Sequence, residues 1–102
     1  MKKLLVTGYS GFVGKHLLSR YKTLENINLL GRGKFPKAND CLFADIDSTS
    51  DYSSILEGVD VIIHIAAITN IIDNSLDDSL RMYREVNTAG TINLAKQAAE
   101  AG

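Results

Sequence analysis

The sequence predicts an α/β fold: a parallel sheet with helices on both faces and strands in the spatial order 3-2-1-4. Three observations carry this. Short, nearly continuous apolar runs alternate with stretches of helical spacing. Read in order, the elements run β-α-β-β-α-β-α. Strands that are apolar throughout, and separated by helices, belong to a sheet buried on both sides. Right-handed crossovers then set the strand order, and a crevice opens above the C-terminal ends of strands 1 and 4, where that order reverses.

Lys3–Thr7 is a buried-strand run. Gly11–Lys22 carries apolar residues at Phe12, Val13, Leu17, Leu18 and Tyr21, which is helical spacing. Ile27–Leu30 is a second short strand. Gly31–Asp40 holds two Gly and the only Pro, so it reads as a loop. Cys41–Ala44 is a third strand. Ser48 to Glu57 reads as a helix, with Ser/Asp capping candidates at its start, Asp47 and Ser48 among them, and Gly58 past its end. Val59–Ala67 is the strongest strand. From Ser75 to Glu100 the spacing is helical again, with Leu80, Tyr83, Asn87, Gly90, Thr91, Leu94 and Ala98 on one stripe and Gly102 as C-cap.

The 102 residues suffice for one small domain with a modest core. Apolar residues at 45%, charged residues at 23% and a net charge of −1 describe an ordinary soluble protein. The basic residues are scattered, so neither a nucleic-acid surface nor a polybasic membrane patch is expected. Cys41 is the only cysteine, which excludes an internal disulfide and fits the reducing cytoplasm. The apolar run at Leu4–Val6 stops at Thr7-Gly8, too short for a signal peptide, and no stretch reaches the roughly 18 apolar residues of a membrane span.

The chemistry concentrates at Gly8, Gly11 and Gly14, between the first strand and the first helix. So tight a turn calls for positive φ at Gly8. Gly11 has no Cβ, so a pyrophosphate can approach the backbone, and Gly14 lets the helix sit close to the sheet. Free N–H groups and the dipole at the helix start favour a phosphate. The alternative is a tight turn with no ligand. A mononucleotide P-loop is excluded, because its first glycine would fall on Tyr9 and its Ser/Thr on His16.

Four ordered motifs resemble one family. T-G-x-x-G-F-V-G at 7–14, Ala44-Asp45-Ile46 after strand 3, Val61-Ile62-Ile63-His64-Ile65-Ala66-Ala67 in strand 4, and Val86-Asn87-Thr88-Ala89-Gly90-Thr91-Ile92-Asn93-Leu94 in the last helix look like the extended short-chain dehydrogenase/reductases, which include nucleotide-sugar epimerases, dehydratases and reductases. The resemblance covers essentially the whole chain and implies a Rossmann-like sheet holding NAD or NADP. It implies that Asp45 accepts from the adenine amino group; otherwise Asp45 is a loop or capping carboxylate. Ala66 and Ala67 let the backbone pass under the cofactor, or serve packing alone. Val86 or Asn87 would border the nicotinamide. The candidate contacts also include Ser10, Phe12 and Val13 in the glycine loop, with Ile46, Ile65 and Thr69 beside the other motifs. His64, inside an apolar strand, reads as a satisfied core histidine.

An acid at the end of strand 2 binds the ribose hydroxyls of NAD and repels the 2′-phosphate of NADP. Here that position falls at Gly31 or Arg32. Arg32 offers a planar fork suited to phosphate, with Lys34 and Lys37 nearby, which favours NADP. Otherwise Arg32 is a solvated loop residue.

The family's chemistry uses a Tyr-x-x-x-Lys unit, the Tyr as acid/base with the Lys lowering its pKa. Four residues after Tyr9, Tyr21, Tyr52 and Tyr83 stand Val13, Glu25, Leu56 and Asn87, and none is Lys. No metal-ligand cluster is evident. The expectation is therefore the N-terminal portion of a nucleotide-binding domain, with further strands and a substrate domain lying in a longer polypeptide. A nucleotide sugar would be the partner of the whole, a homodimer stays open, and the piece alone should turn nothing over. A non-catalytic sensing or scaffold module, and more distantly a flavodoxin-like domain, are the alternatives.

Overall fold

A computed structural model of the chain describes residues 2–67 and 76–102. Four parallel strands form one sheet: β1 (Leu4–Thr7), β2 (Ile27–Gly31), β3 (Asp40–Phe43) and β4 (Val61–His64), in the order β3-β2-β1-β4. The predicted topology is thus the observed one. Val6 stands opposite Leu29 on one side and Ile63 on the other.

The two faces bury alternate residues, as the pleat requires. Leu5 and Leu30 join Ile46, Tyr52, Ile55, Leu56 and Leu94 in one cluster; Val6, Ile27 and Leu29 join Tyr9 in the other, with Leu17 and Leu18 packed against it. Helix α1 (Phe12–Leu18) thus covers one face, and α2 (Ser53–Leu56) with the C-terminal helix covers the opposite one. A buried polar side chain, Asn28 on β2, is satisfied: its Nδ2 donates to the Ile55 carbonyl at 3.0 Å, and its Oδ1 accepts from Asn39 at 2.7 Å. It ties β2 to α2 and to the loop before β3.

Several boundaries differ from expectation, each for a local reason. Helix α1 stops at Leu18 instead of Lys22 because the amides of Arg20 and Tyr21 bond back three residues, to Leu17 and Leu18, tightening the chain out of the helix. Helix α2 begins at Ser53 instead of Ser48. The Asp47 carboxylate accepts from the amides of Thr49 and Ser50, and Asp51 accepts from Ser53, so the polar run makes turns rather than helix. Strand β4 ends at His64 because the Thr7 hydroxyl takes the amide of Ala66 and shares that of Ile65 with the Thr7 carbonyl, the two hydroxyl bonds at 3.1 Å and the carbonyl bond at 3.4 Å.

The last helical stretch contains a feature the periodicity does not show. Helix α3 (Leu76–Tyr83) passes into a π-helical segment, Arg84–Gly90, before α4 (Thr91–Ala101). Backbone angles at Tyr83, Gly90 and Thr91 stay helical throughout. The wider turns rotate the register, so Leu80, expected on the buried stripe, is 43% exposed, while Val86, Gly90, Leu94 and Ala98 form the packed row. Among the described residues no helix is long and apolar enough to cross a membrane.

Candidate functional site

The glycine loop turns as its sequence requires. Gly8 has φ +70°, and a Cβ there would lie 2.6 Å from the Ala66 nitrogen and 2.8 Å from the Ile65 carbonyl carbon. The turn is therefore pressed against the end of β4. A Cβ on Gly14 would collide with the Gly8 carbonyl oxygen and come within 2.6 Å of Tyr9 Cα. Gly14 thus lets α1 sit against the loop's own backbone, where the sequence suggested the sheet. Gly11 differs from both. The nearest atom to a Cβ there is the Gly8 oxygen at 3.6 Å, so the backbone at Gly11 has room beside it. Lys15 N–H donates to the Gly11 carbonyl at 2.9 Å and opens α1.

A cleft of about 720 Å³ lies over the C-terminal ends of the strands. The glycine loop contributes Gly8, Ser10, Gly11, Phe12 and Val13; the loops after β2 and β3 contribute Arg32, Asp45 and Ile46. The segment after β4 adds Ile65, Ala66 and Ala67, and the π-helical segment adds Val86. These expected residues therefore converge on one cavity of ligand-binding size. Gly14 lies behind the loop, outside the lining, and so does Asn87, whose carbonyl accepts from the Thr91 hydroxyl at 2.9 Å. Thr69 lies outside the described residues.

The lining also includes Tyr9 and Met82, which sequence reasoning missed as contacts, and Gly31, Ala44 and Asp47, which it names only as the strand-2 end, a motif neighbour and a capping candidate. Met82 precedes Val86 by one helical turn and carried no signal of its own.

Arg32 and Asp45, expected at separate ends of the adenosine, form an ion pair, Nε to Oδ1 at 3.0 Å, with both side chains more than half exposed. Asp45 is not a helix cap; its backbone carbonyl accepts from the buried Tyr52 hydroxyl at 2.6 Å. The turn carboxylate is Asp47. Burial pushes its pKa up, but the donors from Ser50 and Thr49 outweigh that and hold it below the ordinary range.

His64 is a satisfied core histidine, as its setting suggests. Its Nδ1 lies 2.6 Å from Thr7 Oγ1 and its Nε2 lies 2.9 Å from Thr91 Oγ1. Burial lowers its pKa. Among the described residues no group of acidic, His and Cys side chains could hold a metal ion.

The fold and sequence are shared with known proteins. The model of the NAD dependent epimerase/dehydratase family matches residues 4–102. A UDP-glucose 4-epimerase from Vibrio cholerae is 39% identical over 99% of this chain and 32% of its own length. MoeE5, solved in complex with UDP-glucose and NAD, superposes with a TM-score of 0.78 at 22% identity, over 98% of this chain and 33% of its own. A short-chain dehydrogenase/reductase superfamily protein from Agrobacterium tumefaciens with bound NAD gives 0.77 at 24% identity, over 98% and 30%. The chain spans about a third of the length of these relatives.

Proposed function

The chain belongs to the NAD-dependent epimerase/dehydratase family, and on that premise we propose that its cleft binds NAD or NADP as the cofactor-holding part of a nucleotide-sugar epimerase, dehydratase or reductase. The observation that carries this is the contrast among three glycines. Gly8 and Gly14 are closed in by backbone, whereas Gly11 has open space. Only Gly11 leaves room for a diphosphate to reach the start of α1, where unpaired amides and the helix dipole favour negative charge.

Asp45 and Ile46 would receive the adenine end, and Ala66, Ala67 and Val86 the nicotinamide end. The bound dinucleotide would supply a hydride acceptor. No tyrosine in these residues is followed four positions later by lysine, so this part of the protein binds and orients rather than transferring a proton. The nucleotide-sugar substrate is supported by the 39% identity to a UDP-glucose 4-epimerase.

Between the two dinucleotides the strand-2 end favours NADP. Gly31 and Arg32 present no acid to repel a 2′-phosphate, and the guanidinium can donate to one bidentately. Asp45 works against this, since a phosphate must share Arg32 with its carboxylate. Fluorescence titration with NADH and NADPH tests both readings. Failure of both to bind at millimolar concentration overturns the dinucleotide site. Tenfold tighter NADH binding overturns only the NADP preference.

A further inference from the structure

Tyr9 occupies the first variable position of the glycine loop, and it is almost fully buried at 2% exposure. Its side chain leaves the loop and crosses to the segment after β2. The hydroxyl donates to the Gly33 carbonyl at 2.7 Å, and the ring stacks on Phe35 with centroids 5.3 Å apart and planes 27° apart. Burial raises the phenol's pKa, so it remains a donor across the physiological range.

The receiving segment is shaped for this contact. A Cβ on Gly31 would lie 2.8 Å from Tyr9 Cε1, and a Cβ on Gly33 would lie 2.6 Å from Ser10 Cβ. Both positions flanking Arg32 must therefore be free of side chains for Tyr9 and Ser10 to approach. Gly31-Arg32-Gly33 interlocks with Tyr9-Ser10, and Arg32 is the side chain that this interlock sends out, 69% exposed, toward Asp45.

We propose that Tyr9 is a positioning residue for dinucleotide selectivity: by pinning the Gly31–Gly33 segment to the glycine loop, it fixes where Arg32 meets the adenosine ribose. This rests on the dinucleotide reading of the cleft. The physical reason is entropic. Two glycines around Arg32 would leave its backbone free to wander, and a long side chain confers discrimination only if its root is held. The Tyr9 hydroxyl and ring hold that root.

The test compares dissociation constants for NADP and NAD in the wild type, Tyr9→Phe, Gly33→Ala, Arg32→Ala and the Tyr9→Phe/Arg32→Ala double variant. Tyr9→Phe removes only the bond to Gly33, and Gly33→Ala pushes the segment off Ser10 while leaving the hydroxyl in place. Each is expected to bring the ratio of the two constants at least fivefold closer to unity. In the Arg32→Ala background, Tyr9→Phe should leave the ratio within twofold, because Tyr9 acts through Arg32. A ratio unmoved by both single variants overturns the inference, and so does an equal shift without Arg32. A wild type that binds both dinucleotides equally overturns it too, since there is then no selectivity to set. A wild type that binds neither overturns the underlying reading of the cleft, which is a separate result.

Discussion

Thr7 Oγ1 and His64 Nδ1 lie 2.6 Å apart, and the threonine is the donor. The direction follows from counting. Thr7 Oγ1 already accepts from the amides of Ile65 and Ala66, which uses both lone pairs, so its proton points to His64. Nδ1 is therefore an acceptor and Nε2 carries the proton, donating to Thr91 Oγ1 at 2.9 Å. Thr91 in turn donates to the Asn87 carbonyl. One directed chain runs from the end of β4 through β1 and the histidine to the π-helical segment.

That chain accommodates only neutral His64. A second proton would sit on Nδ1 facing a hydroxyl with no lone pair left. Burial lowers the pKa from the ordinary 6.5, in the same sense. The unfolded state then binds more protons between the two values, so stability rises with pH across that window. Thermal unfolding should show full stability above about pH 7, and a decline as pH falls from about 6.5 through the folded value. His64→Leu should unfold more readily at pH 8 by about 2 kcal/mol, through unsatisfied hydroxyls, and should lose this group's part of the pH slope. An unchanged slope in the variant would show that another group causes it.

The glycines of the loop should separate stability from binding. Gly8→Ala forces an L residue to φ +70° and drives its Cβ into the end of β4, which should lower unfolding stability by about 2 kcal/mol or more. Gly11 has φ −80°, a conformation any residue adopts, and open space beside it. Gly11→Ala should therefore stay within about 1 kcal/mol of wild type in denaturant unfolding. It should nonetheless weaken dinucleotide binding at least tenfold, because its methyl takes the room of the diphosphate. Equal loss of stability in both variants would contradict the contrast.

The glycine spacing and the apolar runs made the sheet order and one wall of the cleft legible, because those signals are local. Other features depend on partners far along the chain. That β4 ends at His64 follows from a Thr7 hydroxyl 58 residues from Ile65, and no window of sequence holds both. The Asp/Ser run at 47–53 looked like a helix start because the same side chains cap helices and close turns. The π-helical register shows itself only where Leu80 turns outward and Val86 packs inward. The spacing gives Tyr9 no contact of its own, because its partners Gly33 and Phe35 lie more than twenty residues away, beyond the strand-2 end where Gly31 and Arg32 are expected.

The Arg32–Asp45 pair should matter for binding and hardly for folding. Both side chains are more than half in water, where such a pair contributes about 0–1 kcal/mol. Asp45→Asn should leave the unfolding midpoint nearly unchanged while altering NADP affinity, tightening it if the carboxylate competes for the guanidinium. NADP affinity should also fall with rising salt more steeply than NAD affinity does. Parallel salt dependence for the two cofactors would remove Arg32 from 2′-phosphate recognition.

Gly90→Ala sets two effects against each other. A helix-interior glycine costs about 1 kcal/mol relative to alanine, so propensity alone favours the substitution. Packing opposes it. The new methyl would lie 2.6 Å from Ile46 Cγ2 and 3.0 Å from both the Asp47 nitrogen and the Ile46 carbonyl carbon. The Ile46 methyl could rotate away, but the other two atoms are backbone. They belong to a loop held by the Tyr52 hydroxyl at Asp47 N–H and by Glu85, whose carboxylate accepts from the Ser48 amide and hydroxyl at 2.9 and 2.7 Å. Overpacking of this kind costs about 1–3 kcal/mol, so the net change should be destabilising. The shift should also reach the cleft, since Ile46 lines it and Val86 lies one turn before Gly90. Chemical denaturation of Gly90→Ala should therefore give a lower midpoint, and dinucleotide titration a weaker affinity. A stabilised variant would mean that the loop after β3 yields to the helix.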